Sequence, residues 1–203
     1  MRCLLALPVV LACGSSPPLP APGPVQPPPP AASWAVPEGF RQETIPFPLD
    51  FAPTLAHKGA EELRFAPGFF DPAAPGYWSY AFVWRTEDPA ALDAAAVGAE
   101  LTAYFRGLIA AVDEAHQIAD PGAITVTASP AGARVTLAAH VFDAFKTKQA
   151  LDLAGWADRT PCGGGALWRF VLAPATSALR PALEALAAQA ACGQPSPLPP
   201  SRR

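Results

Sequence analysis

Residues 77–85 read Tyr-Trp-Ser-Tyr-Ala-Phe-Val-Trp-Arg, and they carry the clearest strand pattern in the chain. Every second residue is aromatic, and this alternation is the period of a β-strand whose side chains point to opposite faces. The aromatic residues of that face are Trp78, Tyr80, Phe82 and Trp84. We predict a central strand with its aromatic face packed under helices. The alternative is that the aromatic row lines an apolar pocket or a partner-binding surface.

Further segments with strand or helix patterns lie on both sides of this strand. Short apolar or alternating segments predict strands at 40–47, 61–65, 124–129, 134–142 and 166–172, with a weaker one at 148–153 and a loop at 155–165. Amphipathic periodicity predicts one helix that begins at Pro89 with Asp88 as its N-cap, and a second over about 177–191. The order β-β-β-α-β-β-(β)-β-α predicts an α+β fold, an antiparallel sheet with two helices packed on one face.

The first thirteen residues have the layout of an export signal. Arg2 precedes a short apolar run, which ends in Val10-Leu11-Ala12-Cys13. This ending resembles the lipobox of bacterial lipoproteins. The resemblance implies that residues 1–12 are a signal peptide and that Cys13 carries a diacylglyceryl group and acyl chains such as palmitate. It also implies a lipid-anchored protein of the bacterial cell envelope, facing the periplasm or the cell surface. The alternatives are an ordinary secreted protein cut near Ala12 and a buried N-terminal segment.

The composition predicts the domain organisation behind this leader. Residues 14–33 carry no charge, and nine of the fourteen residues from 17 to 30 are proline, which favours an extended tether. We therefore predict a lipidated, disordered tether over 13–33, one α+β domain over 34–193 and a disordered tail over 194–203. A proline-rich ligand for SH3-like modules is the competing interpretation of the tether.

Charge and motifs exclude several function classes. The net charge is −3, and no basic patch alternates with aromatic residues, so we predict no nucleic-acid partner. The sequence has no phosphate-binding glycine loop, no nucleophile elbow and no zinc-protease motif, and its histidines lack metal-ligand spacing. We predict neither a cofactor nor a metal site, and we lean against an enzyme.

Cys162 and Cys192 remain as a pair if Cys13 is lipidated and Cys3 is removed. Eight extended residues at the predicted strand 166–172 span roughly 26 Å, and the sixteen residues 177–192 span roughly 24 Å as a helix. An antiparallel strand–helix hairpin would therefore bring both cysteines to the same edge. We predict a disulfide between them, as expected in an oxidising compartment.

Two sets of polar residues are candidates for a site. His140 and Asp143 stand near the end of a predicted strand, where a histidine and a carboxylate can perform acid–base chemistry. Arg64 and Asp71 flank a predicted loop, where a structural Arg–Asp pair is favoured over an anion site. For His140 and Asp143, the competing interpretation is a charged strand end that prevents edge pairing.

These observations leave three hypotheses about function. The first is a non-enzymatic envelope lipoprotein that acts as an interaction or assembly module, bound to the membrane by its lipid, with an envelope protein as its candidate partner. The second is a module that binds a small molecule or lipid through the aromatic strand 77–85. The third is a hydrolase that uses His140 and Asp143. Segments 51–55, 64–68 and 78–82 resemble uncharacterised exported bacterial proteins, and that resemblance implies no activity.

Overall fold

The computed structural model describes residues 34–113, 115–118 and 120–193, all within one unit that covers 31–203. The predicted signal peptide, the lipid-attachment residue Cys13, the tether and the tail lie outside the described residues. The described part has an α+β fold, and the predicted element order is confirmed. The weaker strand predicted at 148–153 is also present, as part of a longer strand. The elements are β1 (Arg41–Phe47), β2 (Gly59–Phe65), β3 (Tyr80–Thr86), α1 (Ala94–Val112), β4 (Thr125–Ala131), β5 (Arg134–Phe142), β6 (Ala150–Cys162), β7 (Gly165–Pro174) and α2 (Arg180–Ala188).

The strands form one antiparallel sheet in the order β1-β2-β3-β7-β6-β5-β4. The middle strand is β7, and β3 lies beside it, paired with β2 on its other side. The prediction of β3 as the central strand is therefore off by one position. The chain turns before β3 because Trp78 has a positive φ of 46°, so the strand begins at Tyr80.

The two helices lie on opposite faces of the sheet, which corrects the prediction that both pack on one face. Tyr80, Phe82 and Trp84 point into the larger core with the buried side of α1. Ala81 and Val83 point the other way, into a smaller core with α2. The central strands are buried on both faces, and each face needs its own cover. The sequence pattern of β3, aromatic on one side and small on the other, matches these two unequal cores.

Several element boundaries differ from the predictions, and α2 is shorter than predicted, Arg180–Ala188 rather than about 177–191. The helix α1 begins at Ala94, because Asp93 accepts a hydrogen bond from the Ala96 N–H at 2.8 Å and is the N-cap. Asp88 instead caps a separate turn through the Ala90 N–H. Strand β6 continues to Cys162, through residues predicted as loop, because it pairs with both β5 and β7.

The helix α1 is long and apolar enough to cross a membrane, judged by length and composition alone. The core helix of a soluble protein passes the same test. Here Val97, Leu101 and Phe105 are buried in the larger core against the sheet. We therefore interpret α1 as a core helix.

The predicted disulfide is confirmed. Cys162 ends β6 and is bonded to Cys192, which follows α2, with a Cα–Cα distance of 5.5 Å. The bond closes the smaller core at one end of the sheet, because it joins the β6–β7 turn to the chain beyond α2.

Candidate functional site

A cavity of about 490 Å³ opens on the aromatic face of the sheet. Eight of the described residues that line it are aromatic: Phe51, Phe65, Phe69, Phe70, Trp78, Tyr80, Tyr104 and Phe145. The other lining residues are Glu43, Thr44, Ile45, Pro46, Pro48, Asp50, Leu63, Leu108 and Val112. This size and this mostly apolar lining are typical of small-molecule pockets.

Three parts of the fold form the walls of the cavity. Its floor is the β1–β3 end of the sheet, where alternation places Ile45, Leu63 and Tyr80 on the same face as α1. One wall is the last part of α1, from Tyr104 to Val112. The segment between β2 and β3 supplies a further aromatic group, Phe69 and Phe70. The aromatic row thus does both of the things predicted for it, because Phe82 and Trp84 are core while Trp78 and Tyr80 also line a cavity.

Ring packing holds the aromatic wall in place. The Phe69 ring centroid lies 5.4 Å from those of both Trp78 and Tyr80. Phe70 packs edge-on against Phe145 at 5.0 Å. These separations are those of favourable aromatic pairs. Phe145 is 36% exposed, so the aromatic lining reaches the solvent at this edge.

Asp143 fixes the loop that carries Phe145. Its carboxylate accepts hydrogen bonds from the Tyr77 hydroxyl at 2.7 Å, the Trp78 indole N–H at 3.2 Å and three backbone N–H groups of residues 145–147. Burial opposes the charge, but the N–H and O–H donors outweigh it and lower the pKa of Asp143 to about 2. The Asp143 side chain is 1% exposed and makes five bonds, so we interpret it as a structural centre of the cavity rim.

A second buried carboxyl, Glu61, lies in β2 behind the cavity wall. The Trp84 indole N–H donates to it at 3.0 Å, and the Tyr104 hydroxyl is 3.4 Å away. Burial raises the pKa of Glu61 from 4.5 to about 8, and the two donors only partly oppose this shift. The carboxyl is therefore mostly protonated at neutral pH, and the wall beneath Tyr104 is uncharged.

The structure does not join His140 to Asp143. The His140 Nδ1 is 2.7 Å from Asp152 Oδ1, and both side chains are exposed. Asp143 has the partners given above, and none of its recorded hydrogen bonds within the described residues goes to His140. The acid–base arrangement that the hydrolase hypothesis needs is therefore absent from the described residues.

Arg64 and Asp71 are also separate in the structure. Asp71 accepts a bond from the Ala73 N–H in an exposed turn. Arg64 is fully buried, and its guanidinium donates to the carbonyl groups of Trp34, Ala35 and Leu63. It also lies 4.4 Å from the Trp34 ring centroid. Arg64 therefore fixes the start of the described chain in the smaller core, and the Arg64–Asp71 pair is absent.

Sequence reasoning missed Tyr104, Glu61 and the two cavity carboxylates, Glu43 and Asp50. Tyr104 could have been identified from the sequence, because it lies three residues after Leu101 and therefore on the buried side of α1. Glu61 and Glu62 are adjacent in a short strand, so one carboxylate must point to each face, and both faces are buried here. For Glu43 and Asp50 no local signal exists, because a cavity depends on distant segments.

Comparisons with protein-family models, with curated proteins and with solved structures found no match. Among the described residues, no group of three His, Cys, Asp or Glu side chains could hold a metal ion. Function therefore has to be argued from the cavity itself.

Proposed function

We propose that this domain binds a small molecule with an apolar body in the aromatic cavity. The observation that carries the proposal is the cavity itself, about 490 Å³ in volume and lined by Tyr104 of α1 and by Phe69 and Phe70 of the segment between β2 and β3. Pockets of this kind bury most of a bound ligand and stabilise it through apolar contact. Asp143 accepts hydrogen bonds from Tyr77 and Trp78, and Glu61 bonds with Trp84 and Tyr104, so these two carboxyl groups fix aromatic side chains at and around the cavity.

Partner binding through an apolar surface has less support. Within the described residues, Val36 and Phe145 are the exposed large hydrophobic side chains, and only Phe145 lies at the cavity. A protein-docking surface usually shows a broader apolar patch. We therefore place ligand binding ahead of the interaction or assembly role.

The location of this binding module is part of the same proposal. A lipid on Cys13 would hold the domain at an envelope membrane, and the proline-rich segment 14–33 would act as its spacer. The Cys162–Cys192 disulfide gives modest support to an oxidising compartment. In such an arrangement the ligand is an envelope or extracellular small molecule.

A fluorescent apolar probe tests the proposal. The full-length Cys13→Ser variant cannot be acylated at that residue, so it can be studied without detergent. We expect it to bind the uncharged probe N-phenyl-1-naphthylamine saturably, with one molecule per chain. Leu108→Trp fills the cavity from α1 and should abolish this binding. Leu92→Trp alters a half-buried core position outside the cavity and should leave it intact. Absence of saturable binding, or equal binding by Leu108→Trp, would overturn the proposal.

A further inference from the structure

The charged side chains that line the cavity have one sign. They are Glu43 and Asp50, and the described lining contains no lysine, arginine or histidine. Both carboxylates are exposed, and neither is hydrogen-bonded or ion-paired to another described residue. Their negative charge is therefore available to a ligand at the cavity.

The aromatic rings add to the same electrostatic preference. The face of an aromatic ring carries partial negative charge and attracts a cation placed over it. One ring of the lining already contacts a cation: the Arg41 guanidinium lies 4.9 Å from the Phe70 ring centroid. Arg41 and Lys146 line a neighbouring cavity of about 300 Å³ that shares Phe69 and Phe70, rather than this one.

We infer that the cavity selects organic cations, namely quaternary or protonated amines that carry an alkyl or aromatic body. The inference deepens the proposed function and rests on it. The apolar body would pack against the aromatic and aliphatic walls, while the cationic group would face Glu43, Asp50 and the ring faces. An anionic ligand of the same shape would bring its charge towards two carboxylates, with no basic side chain in the described lining to offset them.

Three probes with the same decyl chain separate the contribution of charge to the affinity from the contribution of apolar contact. Decyltrimethylammonium, decanol and decyl sulfate are used below their aggregation concentrations to displace N-phenyl-1-naphthylamine from the full-length Cys13→Ser variant. We expect decyltrimethylammonium to bind about tenfold more tightly than decyl sulfate, with decanol between them. The preference should weaken at about 0.5 M salt, because exposed carboxylates are screened.

A charge-neutralised variant tests the assignment to Glu43 and Asp50. The double variant Glu43→Gln/Asp50→Asn should lose most of the cation preference, measured within the same variant as the ratio of its affinities for decyltrimethylammonium and decyl sulfate. The matched control Glu38→Gln/Glu87→Gln removes two exposed carboxylates that do not line the cavity, and it should keep the preference. If the wild type binds decyl sulfate as tightly as the cation, or if the preference survives in the double variant, the cation inference fails while ligand binding stands. If no probe is bound at all, the proposed function fails.

Discussion

At the scale of single residues, two buried carboxyl groups around the cavity have opposite protonation. Asp143 is surrounded by N–H and O–H donors and stays ionised, whereas Glu61 has two donors and deep burial. The number of donors therefore decides whether the pKa of a buried carboxyl falls or rises, because each donor stabilises the charged form that burial destabilises. The two residues should respond to pH in opposite directions.

Glu61 should make the protein less stable as the pH rises. The unfolded chain releases the Glu61 proton near pH 4.5 and the folded chain near pH 8, so the folded state holds more protons between these values. The free energy of unfolding should fall in this window by up to about 1.4 kcal/mol per pH unit. Urea unfolding at several pH values measures the slope. Glu61→Gln should remove this contribution and raise stability at pH 9.

The amide of Glu61→Gln can accept from Trp84 and donate to the Tyr104 hydroxyl, so its polar atoms keep partners. Glu38→Gln, at an exposed position, is the control and should leave the slope unchanged. A slope in Glu61→Gln equal to that of the wild type would contradict the interpretation.

Asp143 should contribute stability that is present above its ordinary pKa of 3.8 and is lost as the pH falls through about 2. Asp143→Ala leaves the Tyr77, Trp78 and backbone donors without their acceptor, and should lower the free energy of unfolding by about 3 kcal/mol. Thermal unfolding, followed by the total tryptophan emission, is the measurement. Asp152→Ala removes a carboxylate that is 84% exposed, and it should change stability by less than about 0.5 kcal/mol. Similar losses in the two variants would contradict the role given to Asp143.

At the scale of elements, two glycines let α1 approach its neighbours. An added Cβ at Gly107 would lie 2.0 Å from the Phe51 carbonyl oxygen, whereas one at Gly98 would lie 2.9 Å from the Val126 oxygen. The loop that contains Phe51 forms part of the cavity wall, so the close contact at Gly107 helps to set the shape of the cavity.

We expect Gly107→Ala to destabilise the protein by about 2–3 kcal/mol, because a backbone atom must move and the helix preference of alanine returns only about 1 kcal/mol. Gly98→Ala needs a much smaller shift, so its change should stay within about 1 kcal/mol. Chemical denaturation compares the two variants directly. Equal effects, or a stabilising Gly107→Ala, would show that the Phe51 loop is not held against α1.

The elements also show what sequence can and cannot predict. The alternation of residues 80–84 and the helical spacing of Val97, Leu101 and Phe105 are local patterns, and both were identified correctly. The face on which α2 packs depends on which side of the sheet has uncovered apolar area, and no local pattern contains that. Strand β6 was partly missed because it contains the polar residues Asp158 and Arg159, which are partly buried. Their burial results from the neighbouring strands, so the local sequence does not reveal it.

The cavity was predictable only in part, for the same reason. Trp78 and Tyr80 were identified because the sequence alternates there, although Trp78 precedes β3 in the structure. Glu43 lies in β1, Asp50 in the following loop and Tyr104 in α1, and they meet only in the folded chain. His140 and Asp143 were paired because they are close in sequence, yet their side chains bond to different partners.

At the scale of the whole molecule, the sheet separates two cores with different tasks. The α1 side contains the cavity, and the α2 side contains Trp34, Arg64 and the disulfide. The Trp34 indole N–H donates to the Leu186 carbonyl at 2.8 Å, so the start of the described chain is fixed to α2. A mechanical force applied to the start of the described chain would therefore act first on the α2 face of the sheet, which is opposite the cavity.

Opening the disulfide should therefore weaken the α2 face and spare the cavity. The bond closes a separation of 30 residues, for which the chain-entropy model gives about 3–4 kcal/mol of stabilisation. The double variant Cys162→Ser/Cys192→Ser should lose about this much free energy of unfolding. Under native conditions, hydrogen exchange should rise in α2 and around Trp34, while α1 and the affinity for N-phenyl-1-naphthylamine should change little. The control Ala91→Ser, at an exposed position outside both cores, should alter neither. Loss of probe binding in the folded double variant would mean that the two cores are coupled through the sheet, against the separation argued here.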